Sequence, residues 1–205
     1  MVVLTDSNQQ QSIVLIGPTG VGKSAVGRDL AALLEWDYVE LDELRSEWYP
    51  EFGLDPEVER KAMEQGGLPE LVAAWKPYEL MSVERVMKDH PTRTVIAFGG
   101  GQSVYVHEED IERARKALSA ASRVILLIPS EHGDESMSIL HERIRSIDFV
   151  TSQEDPEAFL RAFTPILKMQ LQSESNRTLA TELIVTGHST PEELARHIAT
   201  TMDAE

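Results

Sequence analysis

The stretch Ser12-Ile13-Val14-Leu15-Ile16-Gly17-Pro18-Thr19-Gly20-Val21-Gly22-Lys23-Ser24 decides the fold. An apolar run leads into Gly17–Ser24, which matches the pattern GxxxxGK[ST], and helical spacing follows at once. Strand, glycine-rich loop and helix in that order are the context the pattern requires. The glycines let the backbone close into a nest whose N–H groups point at phosphate oxygens. The following helix N-terminus adds a partial positive charge. Gly17, Thr19, Gly20, Val21, Gly22, Lys23, Ser24 and Ala25 are therefore the candidate nucleotide-binding residues. Lys23 can reach the β- and γ-phosphates, and the Ser24 hydroxyl can bind Mg²⁺, so ATP and Mg²⁺ are the expected cofactors. The competing reading, a glycine-rich turn with a chance lysine, does not account for the flanking strand and helix.

Outward from this loop, four more short runs rich in Val, Ile and Leu follow: Tyr38–Leu41, Thr94–Phe98, Val124–Ile128 and Leu183–Thr186. They do not alternate cleanly, which is how strands covered on both faces of a parallel sheet read. Segments with helical spacing separate them: Lys23–Glu35, Pro56–Gln65, Leu68–His90, Asp110–Leu118, Asp134–Arg145, Pro156–Gln172 and Pro191–Met202. Thr190, Pro191 and Glu193 form a capping-box signature for the last of these. Strands alternating with helices imply right-handed crossovers and a three-layer α/β phosphate-loop fold with a five-stranded parallel sheet. No repeat or linker divides the sequence, so residues 1–205 read as one domain. Residues 45–68 read as an irregular helical excursion and residues 146–157 as a polar, mobile loop.

Composition narrows the function classes. The 205 residues carry 19 Lys and Arg against 35 Asp and Glu, a net charge of −16. Such a chain repels polyanions, which argues against non-specific nucleic-acid or anionic-membrane binding. Cysteine is absent, which excludes a disulfide scaffold, a thiol nucleophile and a cysteine zinc site. The six histidines show no ligand spacing, so no transition-metal site is assigned. Met1–Ser12 contains no Lys or Arg and no long apolar stretch, so no secretory signal is read there and a cytoplasmic location is expected.

Two departures separate this chain from the larger phosphate-loop classes. No Asn-Lys-x-Asp sequence is present to read guanine. The run Thr94–Phe98 has no acid at its end to hold Mg²⁺ and passes instead into Gly99-Gly100-Gly101. That disfavours a stand-alone ATPase and suggests that backbone lines the site there.

These residues resemble the shikimate kinase family of small-molecule kinases. The first helix, Lys23-Ser-Ala-Val-Gly-Arg-Asp-Leu-Ala, looks like that family's. The sequence Tyr38-Val-Glu40-Leu-Asp42 is similar to its Phe-x-Asp-x-Asp, and Val95-Ile-Ala-Phe-Gly-Gly-Gly101 to its Val-Ile-Ala-Thr-Gly-Gly-Gly. The stretch Val185-Thr-Gly-His-Ser-Thr-Pro-Glu-Glu-Leu194 resembles its last strand, turn and helix. The resemblance implies the strand order 2-3-1-4-5 and Mg·ATP-dependent transfer of the γ-phosphoryl group to a small hydroxylated acceptor, with shikimate the first guess. It also implies roles: the region 43–90 would cover the acceptor, and the loop at 146–157 would act as a lid. Lys23 and Asp42 are the catalytic candidates: Asp42 accepts a hydrogen bond from the acceptor hydroxyl and serves as base. Its alternative is a helix N-cap. Glu40 joins Ser24 as a metal-side residue, or is a surface strand-end acid. Asp42, Trp75, Lys76, Gly99, Gly100 and Gly101 are the substrate-binding candidates, with Tyr78 a further wall.

Trp75-Lys76-Pro77-Tyr78-Glu79 stands where the family has Phe-Arg-x-x-Glu. Lys76 thus replaces an arginine that grips a substrate carboxylate, and a lysine lacks the planar two-pronged contact. Lys76 keeps an anionic acceptor in view, and Arg60 is its rival. The family's lid motif, Arg-Pro-Leu-Leu, is absent; Arg143 and Arg145 lie near its place, Arg143 to stack on adenine or to face solvent. Two alternatives stay open: a kinase of another sugar acid, nucleoside or antibiotic, and a non-catalytic nucleotide-binding module.

Overall fold

The structure, a computed structural model, describes residues 11–202. All but the end of the Met1–Ser12 stretch therefore lies outside the described residues. In chain order the elements are β1 (Ile13–Ile16), α1 (Lys23–Leu34), β2 (Asp37–Glu40), α2 (Arg45–Glu51), α3 (Pro56–Asp89), β3 (Thr94–Ala97), α4 (Glu108–Leu118), β4 (Arg123–Ile128), α5 (Gly133–Ile144), α6 (Asp148–Thr151), α7 (Pro156–Gln172), α8 (Glu174–Leu179), β5 (Glu182–Val185) and α9 (Pro191–Met202).

The five strands form one parallel sheet in the order β2-β3-β1-β4-β5. The sheet is covered on both faces, and β1 shows why its sequence does not alternate in polarity. Ile13 and Leu15 point into one core with Val26 and Leu30 of α1 and Ile198 of α9. Val14 and Ile16 point into the other with Val83 and Val86 of α3 and Leu118 of α4. Successive side chains of a strand face opposite ways, so both sets must be apolar.

The expected strands and helices are present, with ends differing by a residue or two. Thr190 Oγ1 accepts from the Glu193 N–H at 3.2 Å, and Glu193 Oε2 accepts from the Thr190 N–H at 2.8 Å, which is the expected capping box at α9. Pro56–Gln65 and Leu68–His90 form one long element that breaks at Gly67, whose φ of 66° and ψ of −151° no helix interior allows. Two stretches differ from the expectation. Residues 45–68 are mostly regular helix, because Trp48 and Tyr49 of α2 are buried in the core. Residues 146–157 contain α6, anchored by fully buried Val150 and by Phe149 against Phe159 and Phe163, while residues 151–155 are exposed. No described helix is long and apolar enough to cross a membrane.

Candidate active site

Parallel topology gathers the carboxyl ends of the strands at one edge, where open α/β sheets bind ligands. Because β3 lies between β1 and β2, the loop after β1, the acids at the end of β2 and the glycines after β3 meet there.

The phosphate loop turns through Gly17, Gly20 and Gly22, all with positive φ. Helix α1 starts with no side-chain cap and no acid in its first turn, so its terminal N–H groups are open to an anion. Lys23 is buried, and its Nζ donates to Gly17 O at 2.8 Å and Pro18 O at 2.9 Å. Burial lowers its pKa to about 8, partly opposed by Asp42 and Glu40. Phosphate oxygens would favour the charged form, so nucleotide binding should take up a proton. Affinity for Mg·ATP is expected to fall about tenfold or more between pH 7 and pH 9.5, as the free ammonium deprotonates near pH 8. Calorimetry in buffers of different ionisation enthalpy reads the proton directly, and a flat profile would refute the arrangement.

Glu40 sits beside the loop. Its Oε1 accepts from Ser24 Oγ at 2.5 Å, and its Oε2 accepts from Tyr38 OH at 3.0 Å and pairs with Arg28. It is in register with Ala97 of β3. The acid missing from the end of β3 is thus offered by the neighbouring strand. Ser24 and Glu40 are hard oxygen donors in contact at the mouth of the phosphate loop, a donor set that fits Mg²⁺.

Asp42 faces Gly99 and Arg45. Its carboxylate pairs with the Arg45 guanidinium. A Cβ at Gly99 would lie 2.6 Å from Asp42 Oδ1, so a side chain there would displace the carboxylate. The N-cap of α2 is Leu44, without a side-chain cap, so Asp42 does not cap that helix. Gly100 is crowded too: a Cβ there would stand 2.2 Å from Thr19 Oγ1 and 2.6 Å from Gln170 Oε1. Gln170, buried on α7, accepts from the Thr19 N–H at 2.9 Å. The close approach ties the phosphate loop, the triple glycine and α7 together.

Three adjoining cavities result. The central one, about 450 Å³, is lined by Lys23, Ser24, Glu40, Asp42 and Gly99. On one side a cavity of about 250 Å³ lies between Val21, Arg143 and Pro191. Arg143 is half-buried there; it donates to Val21 O, Thr186 Oγ1 and Gly187 O and so fixes the β5–α9 turn against the phosphate loop. It does not face solvent freely. On the other side a chamber of about 290 Å³ is lined by Asp42, Arg45, Trp75, Glu79, Gly100 and Gly101 on its polar and α3 walls. Phe149, Phe159, Phe163, Ile166 and Gln170 close it from α6 and α7.

The remaining expected residues divide. Trp75 lines the chamber, with the Arg45 guanidinium 4.3 Å from its ring centroid and its Nε1 donating to Glu59 at 2.7 Å. Tyr78 does not line it and packs against Tyr49 instead. Lys76 does not line it either. Its ammonium pairs with Glu79 and donates to Gly101 O at 2.7 Å, and it borders a separate cavity with Val104 and Tyr105. Arg60, the rival of Lys76, pairs with Glu57 and Glu64 at the surface and does not line the chamber; Arg145, near the place of the lid motif, pairs with Glu157. Glu79 is buried, and burial raises its pKa while Lys76 opposes the shift.

Sequence reasoning missed Arg45, Gln170 and the three phenylalanines as site residues. A signal did exist for α7: Phe159, Phe163, Ile166 and Gln170 recur at helical spacing, so a polar residue interrupts an otherwise apolar stripe.

No protein-family model matches the sequence, and no curated protein does. Solved structures do. A shikimate kinase from Acinetobacter baumannii in complex with shikimate superposes with a TM-score of 0.61 at 22% identity, over 95% of this chain and 93% of that one. A shikimate kinase from Aquifex aeolicus gives 0.57 at 22% identity, over 94% and 96%. A gluconokinase from Sinorhizobium meliloti gives 0.56 at 20% identity, over 95% and 92%. The chain therefore has the fold seen in these small-molecule kinases.

Proposed function

We propose that this protein is a kinase that transfers the γ-phosphoryl group of ATP to a hydroxyl of a small molecule. The observation that carries this reading is the adjacency of the Lys23 cradle to a second, partly enclosed chamber, with Asp42 lining both. A nucleotide-binding module has no need of the second chamber. The fold shared with solved kinases supports the same reading.

Phosphoryl transfer rests on positioning and charge stabilisation rather than on covalent chemistry by the protein. The uncapped start of α1 and the Lys23 ammonium hold the phosphates and stabilise charge spreading onto their oxygens. Ser24 and Glu40 would hold Mg²⁺, which neutralises the charge developing between the β- and γ-phosphates. Arg143 and the β5–α9 turn form the wall for the nucleotide's base. Asp42 orients the acceptor hydroxyl and takes its proton. Gln170 keeps the Thr19 backbone in place between the two chambers. The Arg45 guanidinium holds the Asp42 carboxylate in its present direction.

The test is transfer of label from γ-labelled ATP to a broad panel of hydroxylated acceptors with Mg²⁺ present. Label on any acceptor above water hydrolysis supports the kinase. Binding of ATP with no transfer to any acceptor would leave the nucleotide-binding module in its place.

A further inference from the structure

The chamber beyond Asp42 says what kind of acceptor it takes; this inference rests on the kinase reading above. A polyhydroxylated carboxylate needs two things from a site. It needs a cation with spare donors for the carboxylate, best a forked arginine, and polar partners for each hydroxyl. The chamber's one cation, Arg45, is already paired with Asp42; its buried Nε is unpartnered, and Thr19 and Gln170 add polar groups, but most of the remaining lining is apolar. The chamber's fixed charges are Asp42, Glu79 and Arg45. The Arg45 guanidinium is neutralised by Asp42 and covers the face of Trp75. The nearest other cation, Lys76, lies outside the chamber and is neutralised by Glu79. The charges at the chamber are thus paired, Asp42 with Arg45 and Glu79 with Lys76, so an anionic ligand would find no surplus positive charge to repay the loss of its water.

What the chamber does offer is ring surface. Phe149, Phe159 and Phe163 form one cluster with centroids 5.6–5.9 Å apart. Phe159 and Phe163 are stacked at 13°, and Phe149 stands edge-on to both. That is the offset and edge-to-face geometry aromatic groups favour, and a further ring can join it. Apolar cavities of about 150 Å³ hold a benzene ring, so the roughly 290 Å³ here accommodates a ring with substituents.

We propose that the acceptor is an uncharged alcohol with an aromatic or cyclic apolar body, its ring against Phe149, Phe159 and Phe163 and its hydroxyl at Asp42. The hydroxyl oxygen forms the new bond to the γ-phosphorus and the bond to the β–γ bridging oxygen breaks. ADP leaves with that electron pair, and the hydroxyl proton passes to the Asp42 carboxylate and then to solvent.

The probes are benzyl alcohol, 2-phenylethanol and cyclohexylmethanol against shikimate and gluconate. Each is titrated calorimetrically into the full-length protein with Mg²⁺ and a non-hydrolysable ATP analogue, and each is offered with labelled ATP. The ring alcohols are expected to bind at least tenfold more tightly than the carboxylates. Phe163→Arg places a cation in the chamber and should weaken the ring alcohols at least tenfold while improving the carboxylates. Phe163→Leu, which keeps an apolar side chain but removes the ring, should weaken the ring alcohols several-fold; ATP-analogue binding reports that each variant is folded. Preference for shikimate or gluconate, or failure of every ring alcohol to bind, overturns the inference, as does ring-alcohol binding indifferent to both variants. Label on a carboxylate alone overturns it while leaving the kinase intact. Ring-alcohol binding sensitive to Phe163 without any label transfer supports the chamber's preference and removes the kinase instead.

Discussion

Replacing Asp42 with Asn is expected to cut phosphoryl transfer by about 10²-fold or more, the scale of losing a general base, while ATP affinity stays within a few-fold. The two effects would separate because Asp42 lines the proposed acceptor chamber as well as the phosphate-loop cavity, whereas the proposed hold on the nucleotide rests on the loop and its lysine. Asparagine keeps the shape against Gly99 but can no longer take a proton, and it also releases the Arg45 guanidinium from its ion pair. Single-turnover kinetics with saturating nucleotide isolate the chemical step. Full transfer by the variant would move the base elsewhere. Glu79 is then the next carboxylate on the chamber wall, and its buried carboxyl with a raised pKa would show as an inflection in the pH–rate profile above the ordinary carboxylate range.

Lys23→Ala should abolish most of the stabilisation that Mg·ATP confers. At a nucleotide concentration 100 times the dissociation constant, mass action adds about 2.7 kcal/mol, a rise of roughly 5–11 °C in melting temperature for a chain of this size. The variant should lose nearly all of that rise at the same concentration. The ligand-free variant is still expected to fold, because a buried ammonium with a pKa lowered to about 8 is a charge held at some cost to the fold. Its removal leaves the carbonyls of Gly17 and Pro18 without their present donor, and the loop glycines remain to shape the turn. Equal stabilisation of the two proteins by saturating ATP would refute the phosphate-loop assignment.

Much of the fold is legible in local pattern. β1 is apolar at every position, and β3 and β4 at all but their first residues, Thr94 and Arg123, because each is covered on both faces, and a one-dimensional reading detects that. Gly17–Ser24 marks the strand-to-helix turn by itself, since the positive φ angles that it needs are available cheaply only to glycine. The triple glycine Gly99–Gly101 after β3 and the capping box at Thr190 are likewise short local motifs, though neither rests on a positive φ. In each case the information lies within a few residues.

The phosphate loop, the acid pair and the sheet order were thus within reach of sequence, the last through resemblance. The acceptor chamber was not. Lys76 and Trp75 are neighbours in the chain, yet only Trp75 lines that chamber, because about 100° of helix rotation separates adjacent side chains. The direction each takes is set by how α3 resumes after its break at Gly67 and packs on the sheet. Arg45 takes its place through the turn after β2, and Gln170 reaches Thr19 across 151 residues. Phe149, Phe159 and Phe163 come from two helices whose sequences read only as a polar segment and an amphipathic stripe. Local sequence determined where phosphate can bind, because a backbone nest is built from consecutive residues. What lies across from it depends on the relative placement of α3, α6 and α7, and only tertiary packing decides that.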